Sequence, residues 1–254
     1  MKAVRLLTQI LVCALTVLVT AACDLYAGAP VEGRFERTLS VTGPVELDVR
    51  TGSGGIRIES GPVNTVHVVA RIRASDWFDD DAARRVKDIE EHPPITQEGQ
   101  AIRIGPTGAD DRYQHVSIGY EITVPESTVV RSSSGSGGQT IRHVRGSISA
   151  TTGSGGIRID DTQADVRVTA GSGGIRLTGV RGPVVARAGS GGIIVSLADS
   201  AGFELDATAG SGGIATSAHL TSTATNSRHR VHGIVRGGGP RLELSTGSGG
   251  ILVE

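Results

Sequence analysis

Seven serine hydroxyls, each enclosed in the same Gly-Ser-Gly-Gly motif, are the first candidates for chemistry in this sequence. The motifs begin at Gly52, Gly135, Gly153, Gly171, Gly189, Gly210 and Gly247. Similar loops surround the nucleophile of serine proteases, but a serine needs a histidine base and an acidic partner to react. No such pair accompanies these serines, and a motif repeated seven times indicates a scaffold. We therefore predict seven structural turns and no catalytic residue.

Phosphate, calcium and transition metals are the other ligands that such residues could bind. A nucleotide-binding loop continues from its glycines into Lys and Ser or Thr at the start of a helix, whereas strand-like segments such as Ile-Arg-Ile follow here. Calcium-binding repeats place an Asp in every turn, whereas only one turn here is followed by Asp160 and Asp161. His229 and His232 could approach one metal with His219 nearby, but no Cys or carboxylate cluster completes a site. We predict neither a cofactor nor a metal.

The spacing of the motifs predicts a stacked architecture that positions these residues. The motifs from Gly135 to Gly189 follow one another at 18 residues, the next gap is 21 and the last is 37. A fixed period of this size is typical of folds in which each unit contacts only its neighbours. Between Asp165 and Leu177, apolar and polar residues alternate on both sides of the glycines, as in half-buried strands. The sequence predicts an all-β, single-chain parallel β-solenoid or β-helix with about 18 residues per coil.

Inward columns can be assigned because the alternation recurs in every unit. Branched aliphatic residues stand five positions before each motif, small residues stand one before, and isoleucine follows in all copies except Gln139. We expect these columns to fill a thin core, and the glycines to provide the positive φ of a tight corner. Arg57, Arg158 and Arg176, one position after the isoleucines, should stack on one exposed face. That face is either a solvated surface or a site that recognises an anionic glycan or envelope polymer.

Two regions depart from the period. Between the first two motifs, residues 66–73, 102–104 and 116–124 read as strands. Residues near 79–91 read as a short helix that begins at one of three aspartates and ends before two prolines. In the last gap, Arg230 to Ile234 is interpreted as a degenerate corner that keeps the register. The sequence stops three residues after Ile251, so the last coil is expected to lack a cap and to self-associate through residues 242–254.

The first residues are typical of an export signal. Lys2 and Arg5 precede an apolar run from Leu6 to Val19, and Thr20-Ala21-Ala22 leads to Cys23. This order resembles a bacterial lipoprotein signal over residues 1–22, with Cys23 lipidated, residues 23–33 as a tether and residues 34–254 as the folded domain, most regular over 131–254. A plain secretory signal is the alternative. Without residues 1–22 the chain has 23 basic and 26 acidic residues, a net charge near −3, which gives no indication of nucleic-acid binding.

Several segments resemble a known family. Tyr120–Pro125, Val129–Gly137 and the repeated Gly-Ser-Gly-x-Ile units are similar to those of the DUF4097 family of bacterial adhesin-like proteins. The resemblance covers about residues 34–254 and implies an exported or membrane-linked chain with a β-solenoid-like fold. It implies a surface role without a particular ligand, and it brings no catalytic motif.

These observations predict a non-enzymatic, lipid-anchored protein of the bacterial cell envelope, facing the periplasm or the cell surface. It would serve as an adhesion-like or structural interaction module whose partner is an envelope protein or a glycan. The alternative is an envelope polysaccharide-binding or polysaccharide-active β-helix protein. An enzyme of that class needs paired acids, or an acid with Arg or Lys, in a groove and usually more aromatic residues for sugar stacking than the 3% present here.

Overall fold

The computed structural model describes residues 30–61, 64–75, 81–108, 110–197, 201–217 and 220–254. It is mostly β, as predicted, with one α-helix, α1 (Ala82–Glu91), and a 3-10 turn (Asp111–Tyr113) among these residues. The strands are β1 (Val31–Ser40), β2 (Glu46–Thr51), β3 (Ile56–Ser60), β4 (Thr65–Ala74), β5 (Ile95–Glu98), β6 (Ala101–Ile104), β7 (Val116–Val124), β8 (Val129–Ser134), β9 (Gln139–Arg142), β10 (Ile148–Thr152), β11 (Ile157–Thr162), β12 (Val166–Ala170), β13 (Ile175–Val180), β14 (Val184–Ala188), β15 (Ile193–Ser196), β16 (Phe203–Ala209), β17 (Ile214–Thr216), β18 (Leu220–Asn226), β19 (Arg230–Val235), β20 (Arg241–Thr246) and β21 (Ile251–Val253). β1 begins inside the segment 23–33 that was predicted as a tether.

The strands form two large sheets. Sheet A has the order β1-β4-β7-β3-β9-β11-β13-β15-β21-β17, and sheet B has the order β18-β19-β16-β20-β14-β12-β10-β8-β2-β6-β5. Each Gly-Ser-Gly-Gly motif connects a strand of sheet B to the following strand of sheet A. We call such a pair of strands with its motif a layer, and name it by the first glycine of the motif.

Neighbouring layers pair in parallel with equivalent residues side by side. Ile148 pairs with Val166, which pairs with Val184, each 18 residues further along the chain. The predicted columns face the core, since the residues five before the motifs are at most 2% exposed. The isoleucines after the motifs are equally buried except Ile214, which is half-buried. Gln139 occupies the same column at 2% exposure, where its Oε1 accepts a hydrogen bond from Ser132 Oγ at 2.5 Å.

Backbone hydrogen bonds join each corner to the layers on both sides. The N–H of Gly153 donates to the carbonyl oxygen of Ser134 at 3.1 Å, and the N–H of Ser154 donates to that of Gly135 at 3.0 Å. In the opposite direction, the N–H of Ile157 donates to the carbonyl oxygen of Gly174 at 3.0 Å. The same bonds recur at the other corners, so the motif satisfies its backbone groups through its neighbours.

The expectation that these corners require a positive φ is wrong. Of the motif glycines, all of which the structure describes, only Gly54 has a positive φ, at 133°. The reason for glycine is instead the close approach of stacked backbones. A Cβ on the first or third glycine of an inner layer would lie closer than 3.0 Å to the carbonyl oxygen of the equivalent glycine next to it, as Gly153 would to Gly135. A side chain at these positions would therefore separate the layers.

The order of the layers differs from the order of the chain. The layers follow one another as Gly52, Gly135, Gly153, Gly171, Gly189, Gly247 and Gly210. β20 pairs in parallel with β14 on one side and β16 on the other, and β21 lies in the same way between β15 and β17. The expectation that residues 242–254 form an uncapped last coil is therefore wrong, because both of its strands are paired on both edges. The stated reason for self-association at these residues is removed.

Antiparallel strands complete both ends. β19 pairs antiparallel with β16 and β18 at the Gly210 end, so residues 230–234 are not a degenerate corner, and Ile234 is 37% exposed. At the Gly52 end, β4 joins β1 and β7 antiparallel, and β5 joins β6. Helix α1 packs its buried Ala82, Val86 and Ile89 into the core beside β1 and β4. Within the described residues, no helix is long and apolar enough to cross a membrane.

Candidate functional site: an arginine-lined groove

The outer face of sheet A carries a groove of about 630 Å³ where strands of four layers meet β4 and β7. It runs across the strands from β4 to β13, along the corners that begin the sheet A strands. Five arginines line it: Arg57, Arg71, Arg73, Arg158 and Arg176. All five are exposed. The groove is therefore a concave and cationic surface of sheet A.

The stacking of the repeats positions three of these arginines in one row. Arg158 pairs directly with Arg176, and Thr140 lies between Arg57 and Arg158 in the same register. The sequence analysis predicted that these three arginines share an exposed face. At a strand spacing of about 4.8 Å, the row extends about 14 Å from β3 to β13.

The other two arginines come from β4, which lies outside the repeats. Arg71 and Arg73 alternate with inward-facing residues, and the antiparallel pairing of β4 with β7 brings them to the same groove. The sequence analysis missed them because alternation alone does not show which strand β4 joins. An Arg-Ile-Arg segment in a predicted strand was the signal for two cations on one face.

The arginines differ in their acidic partners. Arg71 contacts Glu121 at 3.1 Å and Arg73 contacts Glu32 at 2.9 Å. Arg158 contacts Asp160 at 2.8 Å, and the hydrogen bond between them raises the pKa of the Arg158 guanidinium. Arg57 and Arg176 form no ion pair within the part of the chain that the structure describes. The two unpaired cations therefore lie at the ends of the row.

Asp160 belongs to the edge of this site. Partial burial acts to raise the pKa of its carboxyl group. The guanidinium groups of Arg158 and Arg142, at 2.8 and 3.3 Å, act in the opposite direction and outweigh the effect of burial, so the pKa lies below its ordinary value of 3.8. The carboxylate is therefore ionised at neutral pH and neutralises part of the charge beside the row.

The floor of the groove includes the fourth glycines of four motifs, Gly55, Gly138, Gly156 and Gly174. A Cβ on Gly138 would lie 3.6 Å from its nearest neighbour, the carbonyl oxygen of Gly156, and one on Gly55 would lie 3.5 Å from that of Gly138. These are ordinary van der Waals distances, unlike those at the first and third glycines. The packing of layers thus does not require glycine at positions 55 and 138. The effect of having glycine there is that no side chain covers the floor of the groove.

The other residues considered from the sequence lie elsewhere. The serines of the motifs are exposed at the corners, and within the described ranges no hydrogen bond joins them to a histidine or an aspartate. His229 Nδ1 lies 2.8 Å from the carbonyl oxygen of Gly212, and the described residues contain no group of three or more potential metal ligands. Cys23, the signal segment 1–22 and His219 lie outside the described residues.

Solved structures of other bacterial proteins align with most of this chain. A "putative cell adhesion protein" from Clostridium sporogenes aligns with a TM-score of 0.50 and 15% identity, over 89% of this chain and 99% of that one. A "putative adhesin" from Bacteroides fragilis aligns at 0.43 and 14%, over 89% and 100%. A "putative lipid binding protein" from Parabacteroides distasonis aligns at 0.35 and 14%, over 87% and 97%. At these identities the first likeness shows the fold alone.

Sequence comparison gives one negative and one positive result. No curated protein sequence matches the chain significantly. Residues 147–254, from the Gly153 layer onwards, match the model of the Toastrack DUF4097 family.

Proposed function

We propose that this protein is a non-enzymatic, lipid-anchored module of the bacterial cell envelope, with an adhesin-like or structural role. It would be built as a β-solenoid with about 18 residues per coil. The observation that carries the proposal is the use of the repeated motif. All seven corners are engaged in backbone packing and interlayer hydrogen bonds. The repeats present two long outer faces that are mostly polar and charged and include Val185, Ile194 and Leu252. Such faces are suited to binding and spacing.

The comparisons support an interaction role in general terms. The fold neighbour from Clostridium sporogenes is described as a cell adhesion protein, and residues 147–254 match the Toastrack DUF4097 family. Folds of this kind carry their functions in surface sites, so the ligand has to be argued from this chain's own residues.

The membrane anchor is proposed from the sequence. An apolar run followed by Thr20-Ala21-Ala22-Cys23 is the arrangement in which a signal peptide is removed and the cysteine is lipidated. We expect Cys23→Ala to abolish incorporation of a labelled fatty acid and to release the protein from membranes on fractionation. Cys13→Ala, which changes a cysteine within the predicted signal, is the matched control and should leave both unchanged. Labelling that persists in Cys23→Ala would refute the anchor.

A second candidate function, polysaccharide binding, is favoured by the arginine-lined groove. A glycoside-hydrolysing activity is not, because hydrolysis needs two carboxyl groups across the scissile bond. Among the described residues that line the groove, Glu121 is the one carboxylate, and it contacts Arg71 at 3.1 Å. Incubation with acidic and neutral polysaccharides should release no new reducing ends or unsaturated products. Product formation that depends on Glu121 would establish an enzyme instead.

A further inference from the structure

We propose that the groove on the outer face of sheet A binds an acidic polysaccharide, which lies across the strands along the row of Arg57, Arg158 and Arg176. The inference rests on the proposed function as a binding module and names the ligand class and its site. Three observations carry it: the distribution of charge, the composition of the floor and the burial of the apolar and aromatic residues that line the groove.

The charge distribution favours a ligand with several anionic groups. A single exposed ion pair contributes about 0–1 kcal/mol and is screened by salt, so one small anion would be held weakly at any one arginine. The row extends about 14 Å, and Arg71 and Arg73 widen the charged area on the β4 side. A polymer whose anionic groups are covalently linked can contact several guanidinium groups at once, and this raises its overall affinity. Carboxylate and sulfate groups fit the planar guanidinium because it can donate two parallel hydrogen bonds.

The unpaired cations indicate where binding is strongest. Arg57 and Arg176 have no carboxylate partner among the described residues, so an incoming anion does not have to displace one. Arg158 lies between them and already contacts Asp160. We therefore expect Arg57 and Arg176 to contribute more to the binding affinity than Arg158.

The floor favours sugar over polypeptide. Gly55 and Gly138 leave the backbone accessible although packing would allow a side chain at either position, so a ligand can approach closely. Thr140 and Ser117 provide hydroxyl groups within the groove. Peptide sites usually combine strand or helix pairing with pockets for apolar side chains, and this glycine and hydroxyl floor offers none.

Nucleic acid and membrane are disfavoured by the same surface. Among the described residues, Tyr120 is the one aromatic residue that lines the groove, and it is 1% exposed because its ring faces the core beside Phe35. Bases would therefore find no exposed ring on which to stack within this part of the chain. Membrane-surface sites combine cations with exposed large apolar residues, and the groove is concave and lacks them.

The experiment measures binding of the purified full chain to polygalacturonate and to dextran sulfate, with neutral dextran as the uncharged reference. We expect binding to at least one acidic polymer at low salt, weakening as salt is added, and none to dextran. Arg57→Gln with Arg176→Gln should lower the affinity roughly tenfold or more. Gly138→Leu should also weaken binding, because it narrows the groove without changing the charge.

The matched control is Arg131→Gln with Arg167→Gln, which removes the same charge from the outer face of sheet B. It should leave binding unchanged, and circular dichroism should show that all variants are folded. An equal loss in this control would overturn the proposal, since binding would then follow net charge alone. So would wild-type protein that binds neither acidic polymer, or that binds polyglutamate, polyphosphate or anionic lipid vesicles as tightly. Such results would leave the proposed envelope module intact, because the Cys23→Ala fractionation decides it separately.

Discussion

Gly137 lies directly against Gly54 of the neighbouring layer, so closely that a Cβ on Gly137 would overlap the Gly54 carbonyl oxygen. A Cβ on the next residue, Gly138, would lie 3.6 Å from its nearest neighbour, the carbonyl oxygen of Gly156 in the layer on the other side. Two adjacent glycines of one motif thus have different reasons for being glycine. The third keeps two backbones in contact, and the fourth faces the groove.

Substitutions at these two glycines should have opposite consequences. Gly137→Ala should lower the free energy of unfolding by roughly 1–3 kcal/mol or more, because the clash is with backbone that cannot move aside. Gly138→Ala should be neutral or stabilising by up to about 1 kcal/mol, since alanine restricts the unfolded chain. Chemical denaturation of both variants checks this, and equal destabilisation would show that the fourth glycine is also required by packing.

The buried polar pair at Gln139 should show strong energetic coupling. Ser132 Oγ donates to Gln139 Oε1 at 2.5 Å, and Gln139 Nε2 donates to the Thr151 carbonyl oxygen at 2.5 Å. Gln139→Ile alone leaves the Ser132 hydroxyl unsatisfied, at a cost of about 1–3 kcal/mol that offsets the gain from isoleucine. Ser132→Ala added to it removes that cost. A double-mutant cycle should give a coupling of about 0.5–3 kcal/mol, and additivity would contradict the pairing.

The contribution of Asp160 to stability should depend on pH. The pKa of its carboxyl group is lowered in the folded protein. The stability it adds is therefore complete above the ordinary value of 3.8 and is lost as the pH falls through the lowered value. Asp160→Asn should cost about 1 kcal/mol or less at neutral pH, because the pairs are partly exposed, and nothing at strongly acidic pH.

Thermal unfolding at several pH values measures this difference. Asp161→Asn changes the adjacent carboxylate, which is 53% exposed and lies 3.9 Å from Arg181, and serves as the control with a smaller effect. A difference between wild type and Asp160→Asn that persists unchanged in acid would exclude the ion pairs as its source.

The order of the layers can be tested with engineered disulfides. Arg187 on β14 pairs in register with Ser245 on β20, and Ser245 pairs with Thr208 on β16. In a background with Cys13→Ser and Cys23→Ser, Arg187→Cys with Ser245→Cys should form a disulfide, because the Cα atoms are about 5 Å apart. Arg187→Cys with Thr208→Cys should not, since two strand spacings, about 9–10 Å, exceed the reach of the bond. Efficient cross-linking of the second pair would support sequential stacking instead.

The sequence predicted the features that depend on local alternation. The buried columns follow from it, and so does α1, expected near 79–91 and observed over Ala82–Glu91. The order of layers could not be read, because every corner has the same Gly-Ser-Gly-Gly backbone and can stack on any other. What distinguishes the Gly210 layer is its connections: a gap of 21 residues precedes it and one of 37 follows it. The long gap contains β18 and β19, which pair antiparallel with each other, and the pairing of β19 with β16 joins residues more than 20 positions apart in sequence.

The residues of the candidate site were predictable from the sequence only where they belong to the repeats. Arg57, Arg158 and Arg176 follow from the repeat, whereas Arg71 and Arg73 depend on an antiparallel strand from the irregular region. The open floor could not be distinguished from the close-packed glycines, because a sequence shows only that both are glycine. Their difference is a distance between neighbouring backbones.

The inserted Gly247 layer has a consequence for biosynthesis. A chain that emerges with its N-terminus first, as during the export proposed above, delivers β16 and β17 before β20 and β21, which lie between them and the rest of the structure. Vectorial assembly, one repeat after another as the chain emerges, can therefore proceed only as far as β15. From that moment until residue 253 has emerged, the folding molecule carries exposed hydrogen-bonding edges, which are prone to aggregation.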